Sequence, residues 1–442
     1  MSSSVAGGGR PEDGATWTAL TACCKPAIDA KLLREVFRSV DWPALLSLAE
    51  DHGVTQLLAA SAQKLPAELV PASARETLAE RQRAQIFFTL RMSAELFRLT
   101  ELFAAQFPER SAGRSPEGSA NRFTEQCSVS GQRSVSDQSN ASEQHSAMLV
   151  VKGPALAMQA YGDAAMRNYG DLDFLVRHAD IARATQLMMD AGYQPQIPLS
   201  AIAAGKIPGQ YMFRQSEAKL LVELHNDRTM RYYPRGLPIE QLFARTVRVP
   251  MDGREIPAPA IEDHLILICI HGAKHFWERL MWIADVAALI ARHPEMDWPQ
   301  AFAAAEEVGA ETMLHGGLLL AANVLQTQLP REILVRAQSD AAARAMTEQV
   351  LQWLPAAGES SASALERGGL AREVHERGLL QRGLFRMRMR GGVARGAGYF
   401  LRLLFSPTEE DWDANATESS SFIDVLKRPF RLAKKHGKSG KD

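Results

Sequence analysis

The stretch "MLVVKGPALAMQAYGDAAMRNYGDLDFLV", Met148 to Val176, decides how the chain is read. Its apolar opening, Met148 to Val151, predicts a short strand that stops at Lys152-Gly153. Pro154 to Tyr161 predicts a short helix, with proline at a favoured first position and Gly162 past its end. Asp171 and Asp173 then stand one residue apart at the head of an apolar strand, Asp171 to Val176. Side chains i and i+2 of a strand share a face, so the two aspartates point one way while Leu172, Phe174 and Val176 point into a core. Their Cβ atoms would lie roughly 6 to 7 Å apart. Carboxylates that close repel unless a proton or a cation sits between them. Hard oxygen ligands in this arrangement suit Mg²⁺, which binds through one or two carboxylates plus substrate phosphates.

The residues on either side extend that reading. Ala179 to Ala191 predicts a helix closed by Gly192, and Gln210–Arg214 with Lys219–His225 predicts a hairpin around "QSEA". In "KLLVELHND", Glu223 falls on the face opposite Val222 and Leu224, and it shares a cleft with the aspartates if the two strands are neighbours. Three carboxylates would suit activation of a hydroxyl beside a metal-bound triphosphate. The Lys152-Gly153 turn places backbone N–H groups at a helix N-terminus, which is an anion site. Gly153 would let a phosphate approach the backbone, Lys152 could meet it, and Arg167 could clamp it with two parallel bonds. A lone DxD or a lone Lys-Gly turn is common on surfaces. Their ordered combination with a glutamate strand points to a metal–phosphate site.

The remainder divides by composition. Residues 1–15 are rich in Gly and Ser and are expected to be disordered; 16–107 read as helical, with Asp41 an N-cap, Gly53 a stop and one long amphipathic helix from Ala74 to Phe107. Residues 108–146, rich in Ser, Gln and Asn, read as a disordered insertion. An α/β core spans 147–258, a helical region 259–354, a linker 355–366, and an Arg-rich helical region with a basic tail 367–442. The net charge of −1 argues against strong nucleic-acid binding as a whole, although Arg367–Arg402 could contact an anionic partner. Four cysteines without metal-ligand spacing fit a reducing cytoplasm. The longest apolar run, Leu265 to Ile270, is far short of the roughly 20 residues that span a bilayer.

In "KGPALAMQAYGD", Arg167, "DLDFLV", "VELHND" and "HGAKHFWERLMWIADV", the chain resembles the nucleotidyltransferase superfamily typified by polymerase β. More closely it is similar to a bacterial family of nucleotidyltransferases, whose helical "DWPALLSLAEDHGV" and closing "DVLKRPFRL" patterns it also carries. The resemblance implies an α+β fold: a small mixed sheet with the aspartates on a central strand, flanked by N-terminal and C-terminal helical regions. It implies transfer of a nucleoside monophosphate from an NTP, with Mg²⁺ or Mn²⁺, to a hydroxyl or phosphate on a small molecule, protein or RNA. Asp171 and Asp173 become metal ligands, Glu223 the third carboxylate and general base, and Gly153 the contact to the triphosphate. Two departures stand out. The superfamily usually has Gly-Gly or Gly-Ser where this chain has Lys152-Gly153, and "ELHND" replaces a common "ELHW", removing a stacking surface for a base. A nucleotide-binding scaffold without catalysis, or a related phosphotransferase, are the other readings.

The segment "HGAKHFWERLMWIADV" is expected to lie on one helix, with His271 and His275 on a shared face and Asp285 on a similar side. A transition-metal site there is one reading; cleft-lining contacts to phosphates or base, or plain packing, are the others. Trp277 and Trp282 read as core rather than as a base-stacking platform. Lys152, Gly153, Arg167, His225, Lys274 and His275 are the expected nucleotide contacts. Asp171→Asn or Asp173→Asn is expected to abolish transfer with the fold intact.

Overall fold

Five short strands form one mixed sheet whose two faces are both buried. The computed structural model describes residues 11–107, 146–203, 209–216, 219–226, 236–354, 379–391 and 396. The expected N-terminal tail, most of the Ser-rich insertion, the linker and much of the Arg-rich region lie outside the described residues.

Five helices come first: α1 (Pro11–Cys24), α2 (Ala30–Val36), α3 (Trp42–Asp51), α4 (Thr55–Ala62) and α5 (Ala72–Gln106). Asp41 caps α3 by accepting from the Ala44 N–H, as its position predicted, and Gly53 follows with φ at 69°. No Gly or Pro interrupts α5 within its 35 residues, so it runs about 52 Å. The α/β unit then runs β1 (Leu149–Val150), α6 (Gly153–Tyr161), β2 (Leu172–Leu175), α7 (Ile181–Asp190), β3 (Gln194–Pro195), α8 (Leu199–Ala203), β4 (Gln210–Gln215) and β5 (Leu220–His225). Gly162, at φ 76°, closes α6 in the left-handed conformation that glycine adopts without strain.

The sheet order is β1-β2-β5-β4-β3. β2 pairs parallel with β5, the other pairs are antiparallel, and Asp173 stands directly opposite Glu223. Alternation along β2 sends Leu172, Phe174 and Val176 into one core with Val222, Leu224 and Phe213. On the other face Leu149, Val151 and Leu175 join a second core built mainly from helices. The sequence reading of these strands holds to within a residue or two. It did not include a separate hairpin, β6 (Val247–Met251) with β7 (Arg254–Ala258), which follows the short helix α9 (Ile239–Ala244). Its turn residues Asp252 and Gly253 both have positive φ, and that Asp-Gly pair was the available signal.

Helices α10 (Ile261–Lys274), α11 (Leu280–Arg292), α12 (Trp298–Val308), α13 (Glu311–Leu325), α14 (Arg331–Ser339) and α15 (Ala341–Trp353) complete the second core, with α16 (Leu379–Arg388) beyond them. The segment expected to be one helix is two. Phe276 and Trp277 take positive φ values of 57° and 53°, which break the run between α10 and α11. Trp277 compensates by burying its ring completely. It fills a slot made by absent side chains: a Cβ on Gly272 would lie 2.5 Å from the Trp277 ring, and one on Gly317 would lie 2.5 Å from Cys269 Sγ. In α16, Phe385 and Met389 are buried, and Phe385 stacks near Phe276 and Trp353. Phe385 and Met389, two of the apolar residues interleaved with arginine there, are therefore core. No helix among the described residues is long and apolar enough to cross a membrane.

Gly272→Ala should cost about 1–3 kcal/mol, because a rigid buried indole must move. Gly316→Ala meets only the flexible Met346 methyl end and should be near neutral. Denaturant unfolding of both variants checks this, and equal losses would contradict it.

Candidate active site

Register brings the acidic residues together. Asp171, Asp173, Glu223 and His225 share one parity and one face, because β2 and β5 run parallel with Asp173 beside Glu223 and Leu175 beside His225. Asp173 is 3% exposed and is not a bare charge. Lys152 Nζ lies 2.7 Å from its Oδ1, and His225 Nε2 lies 2.8 Å from the same atom. His225 Nε2 is also 3.3 Å from Glu223 Oε2, which accepts a hydrogen bond from Gln210 at 2.8 Å.

These contacts set the protonation pattern. Burial would raise the Asp173 carboxyl, but Lys152 and His225 more than offset it and hold it well below the usual range. Burial works against the Lys152 ammonium, and the charge and hydrogen bond of Asp173 reverse the balance, so its pKa is raised. The same reversal, through hydrogen bonds to Asp173 and Glu223, raises His225. Asp171 has no such cation. Burial first, then the Asp173 and Glu223 charges, push it from 3.8 to about 6. The repulsion implicit in the sequence is thus resolved unequally: Asp173 is neutralised by neighbours and Asp171 carries the strain. Asp173→Asn would leave a half-buried ammonium without its carboxylate, so the expectation of an intact fold does not extend to that variant.

Lys152 reaches Asp173 from an unusual backbone. Its φ of 67° and ψ of −152° lie in a region open essentially to glycine. A buried chain holds it there: the Lys152 N–H bonds to His264 Nε2 at 3.1 Å, His264 Nδ1 bonds to Gln159 Oε1, and Gln159 donates to the Pro259 carbonyl. Burial pushes His264 down to about 3, so it stays neutral and can accept. That N–H, expected to face a phosphate, is already used. Gly153 is buried with φ at 47°, and a Cβ there would lie 3.5 Å from the Asp171 carbonyl oxygen. Its freedom serves the positive φ that the turn requires.

A cavity of about 530 Å³ opens beside the acids. Lys152, Arg167, Asp171, Asp173, His271, His275 and Trp282 are in its wall. Glu223 and His225 stand behind Asp173 on the next strand, and Lys274 is outside the wall. Arg167 is buried and binds Asp285 Oδ2 through Nε at 2.9 Å, while Tyr161 donates to Asp285 Oδ1 at 3.0 Å. Asp285 therefore serves Arg167 and does not join His271 and His275 as a metal ligand. Asn226, at the position where a stacking ring was missed, is fully buried. Trp282, read as core, lies in the cavity wall. A larger cavity of about 750 Å³ lies between Lys25, His293, Trp298 and Pro330, but it has no acidic side chain.

Among the described residues, the side chains whose ligand atoms gather within 4.8 Å of one another are Asp173, Glu223 and His225. This differs from the expected trio, with His225 in place of Asp171. Two carboxylates and an imidazole fit Mn²⁺ at least as well as Mg²⁺, whose preference is for oxygen. His225 would have to present a bare Nε2, which its present bond to Asp173 occupies.

The family described as uncharacterised nucleotidyltransferases matches residues 38–108 and 141–326, which include the whole sheet and the cavity wall. The chain belongs to that family. No curated protein matches it, and no solved structure does.

The Asp171 shift has a sign. The folded state holds this proton more tightly than the unfolded state, so the stability it adds is full below about pH 4 and is lost as pH rises through about 6. Asp171→Asn should raise the Tm of the metal-free protein above pH 6 and leave it unchanged near pH 4. A difference independent of pH would show that Asp171 titrates normally.

Proposed function

We propose that this chain is a divalent-metal-dependent nucleotidyltransferase that moves a nucleoside monophosphate from an NTP to an acceptor hydroxyl or phosphate. The observation that supports it most is the placement of Asp171 and Asp173 in the wall of a cavity, backed in register by Glu223. Asp173, Glu223 and His225, or Asp171 with the two other carboxylates, would hold the ion. A divalent cation so held would draw charge from the triphosphate and from the attacking oxygen. Lys152 and Arg167 put positive charge on the same wall and would orient the phosphates. Glu223, hydrogen-bonded to Gln210 and His225, would help hold the ion, and the acceptor would lose its proton beside this carboxylate and the metal. Attack in line at the α-phosphorus would release pyrophosphate.

A second reading, nucleotide binding without transfer, draws on the Lys152 ammonium already paired with Asp173. Calorimetry with NTP and Mn²⁺ or Mg²⁺, followed by assay of pyrophosphate, separates the two.

Incubation with α-labelled NTPs, Mn²⁺ or Mg²⁺ and a cell extract should label an acceptor. Asp171→Asn should abolish labelling while circular dichroism stays native. Asp173→Asn should abolish it too and lose about 1–3 kcal/mol of stability, because the half-buried Lys152 loses its hydrogen-bonded carboxylate. Labelling by either variant at the wild-type rate would refute the reading; γ-label in place of α-label would indicate a phosphotransferase.

A further inference from the structure

Part of the cavity wall is aromatic, and the acidic cluster does not explain it. His271 comes from the last turn of α10, His275 is the capping residue just past it, and Trp282 comes from the first turn of α11. The left-handed break at Phe276 and Trp277 turns the chain so that these three rings meet. His271 and His275 centroids are 4.6 Å apart, His275 and Trp282 are 5.2 Å apart, and His271 meets Trp282 edge-on at 5.6 Å. All three line the same cavity as Lys152, Asp171 and Asp173.

The chemistry of this wall is specific. Burial first, then neighbouring positive charges including Lys152 and Lys274, keeps both imidazoles uncharged, with His275 pushed down to about 3. Among the described residues neither ring hydrogen-bonds to the protein, and no acid joins them in a metal-ligating group. Each neutral imidazole offers one donor and one acceptor. Trp277, five residues before Trp282, is wholly buried, whereas the Trp282 indole is only partly covered and meets the cavity. A flat indole beside two neutral rings with unused hydrogen-bonding atoms matches a flat, uncharged heteroaromatic ligand with polar edges. Phosphates are matched by the other part of the wall, at Lys152 and Arg167. The volume is within the range of small-molecule sites.

We propose that Trp282, with His271 and His275, is the nucleobase subsite: the base stacks on the indole, and the imidazoles bond its edge while the phosphates extend toward Lys152 and Asp171. This rests on the nucleotidyltransferase reading and adds to it the residues that recognise the base.

The test uses the full chain with Mn²⁺ and compares non-hydrolysable nucleoside triphosphate analogues with inorganic tripolyphosphate, by calorimetry. Trp282→Leu should weaken nucleotide binding at least tenfold, since stacking of one base on one ring is worth roughly that much or more, and leave tripolyphosphate binding unchanged. Trp282→Phe should restore most of the loss. Nucleotide binding unchanged in Trp282→Leu, or tripolyphosphate weakened in parallel, would overturn the subsite. Wild-type protein that binds tripolyphosphate and nucleotide equally also overturns it, whereas binding of neither ligand removes the nucleotidyltransferase reading itself. If the leucine variant does not fold, wild-type tryptophan fluorescence decides: nucleotide should quench it and tripolyphosphate should not, and equal responses would reject the proposal.

Discussion

The ion pair between Lys152 and Asp173 is the constraint around which the site is arranged. An aspartate buried on a central strand cannot remain charged without a cation, and the nearest one comes from the turn immediately after β1. To deliver it, the backbone at Lys152 takes a conformation that costs a non-glycine residue about 1–3 kcal/mol. That cost is borne by a buried His264–Gln159 chain that bonds the Lys152 N–H and fixes the turn. Three elements beside the cavity are tied to this turn: β2 through Asp173, α6 through the turn itself, and α10 through His264.

Charge is then distributed by position rather than by residue type. Two aspartates one residue apart differ in their protonation because only one of them is reached by Lys152 and His225. Arg167 follows the same logic, held by Asp285 and Tyr161 from the helical side while it remains in the cavity wall. The result is a wall with paired acids and cations in one part and neutral aromatic rings in another.

Much of this was legible in the sequence because strand parity is rigid. Asp171, Asp173 and Glu223 had to share a face once β2 and β5 were neighbours, and apolar alternation made that pairing readable. The residues that were misread share a different cause. Asp285 was placed on the side of His271 and His275 by assuming a continuous helix, but two consecutive left-handed residues redirect the chain. Nothing in "HFWERL" announces that break, since neither Phe276 nor Trp277 favours positive φ; the conformation is imposed by a slot that Gly272 and Gly317 open for the Trp277 ring. The backbone of Lys152 was equally hidden, because its support comes from His264, 112 residues away.

The parallel pairing of β2 and β5 governs how the acidic cluster is completed. His225 and Asp173 are separated by 52 residues, and α7, β3, α8 and β4 lie between them in the chain, so this parallel pair closes across a long crossover. A nascent chain that has emerged only as far as Asp173 carries the lysine and both aspartates but neither Glu223 nor His225. The acidic cluster is closed by the strand that also links β4 and β3 to β1 and β2, so the like charges converge in the same step that unites the two parts of the sheet.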